Sequence, residues 1–434
     1  MYENTPPGNY ITNFGVSKLF GEIDYEISLS GISVNPRLLI LYGDNGTGKT
    51  TILNIIESLI SADAEKGLRS KLARIEFERV YVKFSSGLRV EAHRGNKDRI
   101  GAYNWIIRSP HSEVMAFRVK TRVGTTSVYA SEWPVEQRER YENFIKVLAS
   151  LVGEVELLDE RRTVATEMVR HEDEPVFWRE SAMLFNSDSS SRDPVFLAVR
   201  DLANSIRTEA FRRANRGTTD ALSIYAQLAN RISKGWKTTG EVSTLELNKL
   251  NDQLGSTQRR SVELAEYGLS ALIDHGDLLA SLADADESAR NVLVEILSPY
   301  VESVTARFQL LEDLSRSLQN WVSTLNQFFV SKKVEFHLSE GVRVLSRGGN
   351  ELSLDSLSSG ERHLMIMMAR ALMKRNSTGI FIIDEPELSL NVKWQRLIVP
   401  ALLQSFGNGG TQLVVASHSL DVAGVELSNV CKLE

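Results

Sequence analysis

Only one cysteine, Cys431, occurs in 434 residues. It has no partner for an internal disulfide and cannot build a cysteine-type zinc site; a lone thiol suits a reducing compartment. Long apolar runs are also missing. A membrane helix needs roughly 18 consecutive apolar residues, and the nearest candidate, Leu364 to Met373, is shorter and interrupted by Arg370. At the N-terminus, Glu3, Asn4, Pro6 and Pro7 occupy the place where a secretory signal carries its apolar core. A soluble, cytoplasmic protein without membrane contact is expected. Positive charge is not in excess, because the formal net charge is −6. That excludes binding of nucleic acid by bulk charge but leaves room for a local basic face. Heptads do not persist long enough for an extended coiled coil, and no repeat recurs at solenoid periods. The remaining composition, 42% hydrophobic and 24% charged residues, is that of a globular chain. The length allows about two or three domains.

Residues 10 to 30 alternate, loosely over Ile11, Phe14, Val16, Leu19 and Phe20, then strictly over Ile23, Tyr25, Ile27 and Leu29. This predicts two or three short strands punctuated by Gly15 and Gly21. Leu38 to Tyr42 is apolar without a break, as in a strand covered on both faces. Thr50 to Ser61 carries Ile52, Ile55, Ile56 and Leu59 at helical spacing. Alternation from Ile75 to Phe84, a turn at Ser85-Ser86-Gly87 and the run Leu88 to Val90 predict a hairpin, and Val114 to Val119 predicts another strand. From about Ser131 to Val330 the period is helical. It is clearest in Leu310, Leu311, Leu314, Leu318, Trp321, Leu325 and Phe328, where Trp321 and Phe328 are expected in a core. Ser187 to Asp193 and Lys234 to Ser243 are breaks. Strand patterns resume at Val334 to Leu338 and Val342 to Leu345. The chain reads as an α/β domain in two segments, 1–125 and 334–434, interrupted by a mainly α-helical insertion at 126–333.

Four short stretches carry chemistry. The first is Gly43-Asp44-Asn45-Gly46-Thr47-Gly48-Lys49-Thr50-Thr51, a glycine-rich turn between a strand and a helix. Its glycines let successive N–H groups close around an anion, and the following helix points its positive end there. Lys49 adds a mobile charge for outer phosphates, and the Thr50 hydroxyl can ligate Mg²⁺. The second is Leu357-Ser358-Ser359-Gly360-Glu361-Arg362 before a helix, which reads either as an anion-binding helix start or as an ordinary N-cap. The third is Ile380 to Ile383 followed by Asp384, Glu385, Pro386 and Glu387. Here Asp384 is placed to hold Mg²⁺, and Glu385 to orient or deprotonate a water. The alternative is a polar strand end with a proline turn. The fourth is Leu413 to Ala416 followed by Ser417-His418-Ser419, where His418 either donates to a phosphate or water or is merely structural.

The order and spacing of these four stretches resemble those of the ABC-type ATPase superfamily: Walker A, signature, Walker B and switch histidine. The resemblance covers roughly residues 8–95 and 334–420. It implies a P-loop NTPase head, a mixed sheet with flanking helices, that binds ATP with Mg²⁺ and hydrolyses it. Gly43 to Thr51, Ser358, Ser359 and Gly360 would bind nucleotide. Thr50 and Asp384 would hold the metal, and Lys49, Glu385 and His418 would be catalytic. Ser359 stands where most transporters carry glycine, Glu361 where they carry glutamine, and Asn391 where the D-loop usually has aspartate. The signature of one subunit would close on the nucleotide of another, giving at least a head-to-head homodimer. Leu-Ser-Ser-Gly-Glu-Arg, then Ile-Asp-Glu-Pro-Glu-Leu-Ser-Leu-Asn with Trp394-Gln395, most resembles the OLD-like group of AAA-labelled ATPases. The chain is similar to the stand-alone ATPase subunits of two-gene anti-phage systems of Septu or PARIS type, which implies a separate effector such as a nuclease. The competing resemblance is to RecF- or SMC-like ATPases acting on DNA. In the insertion, Arg207, Arg212, Arg213 and Arg216 around Phe211, with the pairs Arg161-Arg162 and Arg259-Arg260, read either as a DNA or acidic-partner contact or as a solvated helix face.

Overall fold

The computed structural model describes residues 8–29, 35–64, 66–95, 99–110, 112–122, 124–159, 193–233 and 244–433, with the backbone alone over 214–233. The pair Arg161-Arg162, the Arg216 side chain, the break at 234–243 and most of the serine-rich stretch at 187–193 lie outside the described residues. The chain divides into two units, residues 1–196 with 357–434, and residues 197–356.

The first unit opens with β1 (Ile11–Leu19), β2 (Ile23–Ser28), β3 (Leu38–Tyr42), α1 (Lys49–Ile60) and α2 (Leu68–Arg74). β4 (Arg79–Phe84), β5 (Arg89–His93), β6 (Tyr103–Arg108), β7 (Glu113–Val119), α3 (Val135–Val152) and β8 (Glu154–Leu158) follow. The second unit holds most of α4 (Pro194–Ser233), then α5 (Thr244–Glu266), α6 (Gly276–Asp284), α7 (Glu287–Phe328), β9 (Lys332–His337), β10 (Gly341–Ser346) and β11 (Glu351–Leu352). The chain returns to the first unit for α8 (Ser359–Met373), β12 (Thr378–Asp384), α9 (Val392–Ser405), β13 (Gly410–Ser417), α10 (Leu420–Ala423) and β14 (Val430–Lys432).

Two sheets build the first unit. A parallel sheet runs β14-β3-β13-β12-β8, and an antiparallel sheet runs β2-β1-β4-β5-β6-β7. The unbroken apolar runs are the parallel strands: every residue of β13 is buried, as are the last six of β12. The alternating runs are antiparallel strands. α1 supplies Ile52, Leu53, Ile55, Ile56, Leu59 and Ile60 to one core shared by both sheets. Gln412 of β13 stitches the sheets together, accepting from Ile11 N at 2.7 Å and donating to Ile11 O at 3.1 Å. Cys431 of β14 is shielded enough that burial pushes its thiol up to about 11, so it stays protonated at neutral pH.

In the second unit, the stripe read on α7 is buried from Leu311 through Phe328, with Trp321 and Phe328 almost inaccessible as expected, while Leu310 is exposed, off the buried face. Asp286 caps this helix by accepting from Ala289 N. Leu250 and Leu254 of α5 pack with Leu297 and Val301 of α7.

The unit boundaries differ from the expected ones for two reasons. α3 and β8 fall in the stretch expected to be helical insertion, yet β8 pairs with β12 in the parallel sheet, Gly379 against Glu154 through Ile383 against Leu158. Five residues of strand cannot override the helical period around them in a sequence pattern. Conversely, β9 to β11, expected in the second ATPase segment, form a separate three-stranded sheet within the second unit. β6 was also not anticipated; it pairs β5 with β7.

Glu91 on β5 illustrates how the antiparallel sheet is held electrostatically. Its carboxylate is almost fully buried and meets Arg79 at 2.7 Å, Arg108 at 2.8 Å and Arg89 at 3.1 Å. Burial pushes this carboxyl up, but the hydrogen bonds from Arg108 and Arg79 outweigh burial and hold it below its ordinary value. A carboxyl held low stabilises the fold above its unfolded-state value and loses that contribution as pH falls through the folded value. Glu91→Gln should therefore lower the midpoint of thermal unfolding by about 5 °C at neutral pH. The gap should narrow as pH drops below the carboxylate range. Thermal melts of both proteins across pH check this, and a gap independent of pH would contradict the assignment.

Candidate active site

Strand register assembles the site. Tyr42 lies level with Ser417, and Ala416 with Asp384. The residues leaving the sheet next, Gly43, His418 and Glu385, therefore emerge together at its C-terminal edge, where ligands of such sheets bind.

Gly43 N–H donates to Ser417 O, tying the loop to β13. Gly48 takes a left-handed φ of 82° as the residue before α1, a conformation that glycine alone adopts cheaply. It delivers the uncapped N–H groups of a twelve-residue helix to the loop. Asp44, Asn45 and Gly46 are exposed, Thr47 Oγ1 donates to Asp44 O, and Thr51 is half-buried. Lys49 is buried, with Nζ donating to Gly43 O at 2.7 Å and to Asp44 O at 2.8 Å. Its charge thus sits in the mouth of its own loop.

Thr50 Oγ1 donates to Asp384 Oδ2 at 2.7 Å, across 334 residues of sequence. The two expected metal ligands are thereby together, a hydroxyl and a buried carboxylate beside a phosphate-type loop. Hard oxygen donors of this kind fit Mg²⁺, which retains water and takes its remaining ligands from phosphate.

Glu385 has φ 47°, unusual for a side-chain-bearing residue. Its N–H donates to Ala416 O at 2.9 Å and its carbonyl accepts from Leu388 N, so the turn holds the strained backbone in place. His418, with a half-exposed ring, places Nδ1 3.4 Å from Glu385 Oε1 and 3.3 Å from Glu387 Oε1. Glu387 was not among the residues expected to act; its sequence signal was only that a second acid follows Pro386. Tyr25 is another addition, since its hydroxyl on β2 donates to Thr47 O at 3.0 Å.

Ser358, Ser359 and Gly360 open α8 through a capping box. Ser358 Oγ accepts from Glu361 N, and Glu361 Oε2 accepts from Ser358 N at 2.7 Å. The cap uses a lone pair and leaves the hydroxyl proton able to donate, so the two readings of this serine coexist. Ser358 and Ser359 are exposed, whereas Gly360 is buried: a Cβ there would lie 2.5 Å from Ser389 O. The helix start is thereby pressed against the segment at 388–391. None of the described hydrogen bonds joins Ser358, Ser359 or Gly360 to the loop at 43–50. Asn391 caps α9 by accepting from Trp394 N.

Two arginines of the basic cluster on α4 are engaged within their own unit. Arg207 donates to Leu338 O and Ser339 O, and Arg213 pairs with Glu209 at 2.6 Å. Arg212 and Phe211 are exposed. Arg260 lines a surface recess with Glu263, Glu266, Glu312 and Arg316, a mixed-sign surface. Among the described residues, no helix is long and apolar enough to cross a membrane.

Residues 38–423 match the family described as "AAA domain, putative AbiEii toxin, Type IV TA system". Over 117 residues the chain is 30% identical to the Retron Vc95 probable ATPase of Vibrio cholerae serotype O1 biovar El Tor, covering 24% of this chain and 21% of that protein. Over 190 residues it is 26% identical to the Retron Ec83 probable ATPase of Escherichia coli, covering 37% and 35% respectively. The chain thus spans about a fifth and a third of these relatives. Among solved structures, the Pyrococcus furiosus Smc head domain with an extended coiled coil, bound to the C-terminal domain of ScpA, aligns with a TM-score of 0.39 at 12% identity, covering 98% of this chain and 93% of that one. The SMC head domain from Thermotoga maritima aligns with a TM-score of 0.35 at 9% identity, covering 96% and 92%.

Proposed function

We propose, since this chain belongs to the AAA-domain family just described, that it is an ATP-binding and ATP-hydrolysing regulatory subunit. In this reading it assembles through nucleotide-sandwiched heads and controls a separate effector, a nuclease or toxin, in anti-phage defence. The observation that carries the ATPase reading is the Thr50–Asp384 contact at the sheet edge from which Glu385 and His418 also emerge. Lys49 and the N–H groups of the loop bind the phosphates, Glu385 orients or deprotonates the attacking water, and His418 contacts that water or the γ-phosphate. Thr50 and Asp384 would hold Mg²⁺, which when bound neutralises phosphate charge. The outward-facing Ser358 and Ser359 suit a signature that completes a site on a second copy. The defence role is supported by the retron ATPases to which the chain is similar. The internal engagement of Arg207 and Arg213 favours control of a protein partner over direct action on DNA.

Light scattering of the full chain with a non-hydrolysable ATP analogue should show the mass at least doubling, and mobility shifts with duplex DNA at low salt should show weak binding. A mass unchanged by nucleotide would remove the sandwiched-head arrangement. Tight, salt-sensitive DNA binding by this chain alone would replace partner control with a RecF- or SMC-like action on DNA.

A further inference from the structure

At the end of the third stretch, beyond Pro386, lies a buried carboxylate that contacts the fourth. Glu387 is 5% exposed, on the turn after β12. Its Oε1 accepts from Ser417 Oγ at 2.6 Å, His418 N at 2.9 Å and Ser419 N at 3.1 Å. The same oxygen lies 3.3 Å from His418 Nδ1. Its other oxygen, Oε2, is buried without a hydrogen-bond partner among the described residues. A carboxylate this buried is costly unless donors converge on it. Here they come from the one turn that carries the histidine. A second brace acts on the same turn: Ser419 Oγ donates to Gln395 Oε1 at 2.7 Å, and Gln395 Nε2 donates to Leu390 O at 2.9 Å.

The consequence falls on the imidazole. Nδ1 faces two carboxylates, Glu385 and Glu387, and carboxylates accept hydrogen bonds. Two carboxylates facing Nδ1 favour a proton on that nitrogen, and in a neutral ring so protonated Nε2 is an acceptor. Among the described residues Nε2 has no hydrogen bond, and the ring is 44% exposed. With Nδ1 protonated and the ring neutral, Nε2 is the atom that can accept from a water.

We propose that Glu387 is a positioning residue for ATP hydrolysis: it fixes the Ser417–Ser419 turn and the Nδ1–H tautomer of His418, leaving Nε2 to accept a hydrogen bond from the attacking water. This rests on the ATPase reading, and it assigns Glu387 no contact with nucleotide. Glu387→Gln separates its two duties. The amide oxygen still accepts from Ser417 and the two backbone N–H groups, so the turn survives. The negative charge that fixes the ring is lost, and the amide N–H₂ competes for the same space.

The full-length wild type, Glu387→Gln, His418→Ala and the double variant are compared by steady-state ATP hydrolysis. For Glu387→Gln, kcat should fall about 10- to 100-fold with KM within about twofold of wild type. In the His418→Ala background the same substitution should change kcat less than about twofold, because the residue acts through the ring. A Glu387→Gln kcat close to wild type, or an equal loss in both backgrounds, overturns the proposal. Nitrogen-15 NMR of the histidines in the folded, nucleotide-free wild type gives a second readout that needs no variant to fold. The His418 signal should be that of the Nδ1–H tautomer, and an Nε2–H tautomer refutes the assignment. A wild type with no hydrolysis at all would strike the ATPase reading, whereas the NMR result stands apart from it.

Discussion

Glu385→Gln is expected to bind ATP as tightly as the wild type and to hydrolyse it at least about 100-fold more slowly. Glutamine keeps the size and the backbone of this position. That matters because Glu385 adopts φ 47° and donates its N–H to Ala416 O. A substitution that disturbed the turn would also displace Asp384 on one side and Glu387 on the other, confounding binding with chemistry. What glutamine cannot do is accept a proton from water or carry the charge that orients it. If hydrolysis releases the assembly, the variant should accumulate as an ATP-bound oligomer that persists after free nucleotide is removed. Phosphate release measured together with light scattering separates these effects. Turnover at the wild-type rate would show that the water is activated by another group.

The legible parts of this site were those in which residue type and local pattern coincide. An apolar run that ends in Gly43 to Thr50, or in Asp384-Glu385, announces both its strand and its chemistry within fifteen residues. Glu387 escaped because its role is defined by partners some thirty positions away, Ser417, His418 and Ser419, which only strand register brings close. Tyr25 escaped for the same reason: its alternation placed it on a strand but could not say that β2 lies beside Thr47. At the level of the fold, β8 was hidden because Glu154 and Glu156 make a short strand look polar. Those acids are explained by Lys374 at the end of α8, which meets Glu156 Oε2 at 2.6 Å and also pairs with Glu154. The strand's two acids thus pair with the end of the helix that begins at Ser359. No local pattern carries that information, since the partners are more than two hundred residues apart.

Lys49→Ala is expected to abolish measurable ATP binding, with affinity falling more than about 100-fold, while the folded structure persists. The side chain is buried against Gly43 O and Asp44 O, so its ammonium faces two carbonyls of its own loop. A phosphate entering the loop brings negative charge to the same place and takes over those donors. On the proposed reading, the ammonium both holds the loop's shape and receives the ligand. Alanine removes both functions, leaving two carbonyl dipoles directed at an incoming anion with no opposing charge. Neither loss touches the core, because the apolar face of α1 from Ile52 to Ile60 is unchanged. Two measurements follow. Titration calorimetry should detect ATP binding to the wild type and none to the variant. ATP in large excess over its dissociation constant should raise the thermal midpoint of the wild type, by linkage of binding to folding, and leave that of Lys49→Ala where it was. Retained binding within about threefold of wild type would place the triphosphate away from this loop. The contact between Thr50 and Asp384 would then be only a structural tie between two strands.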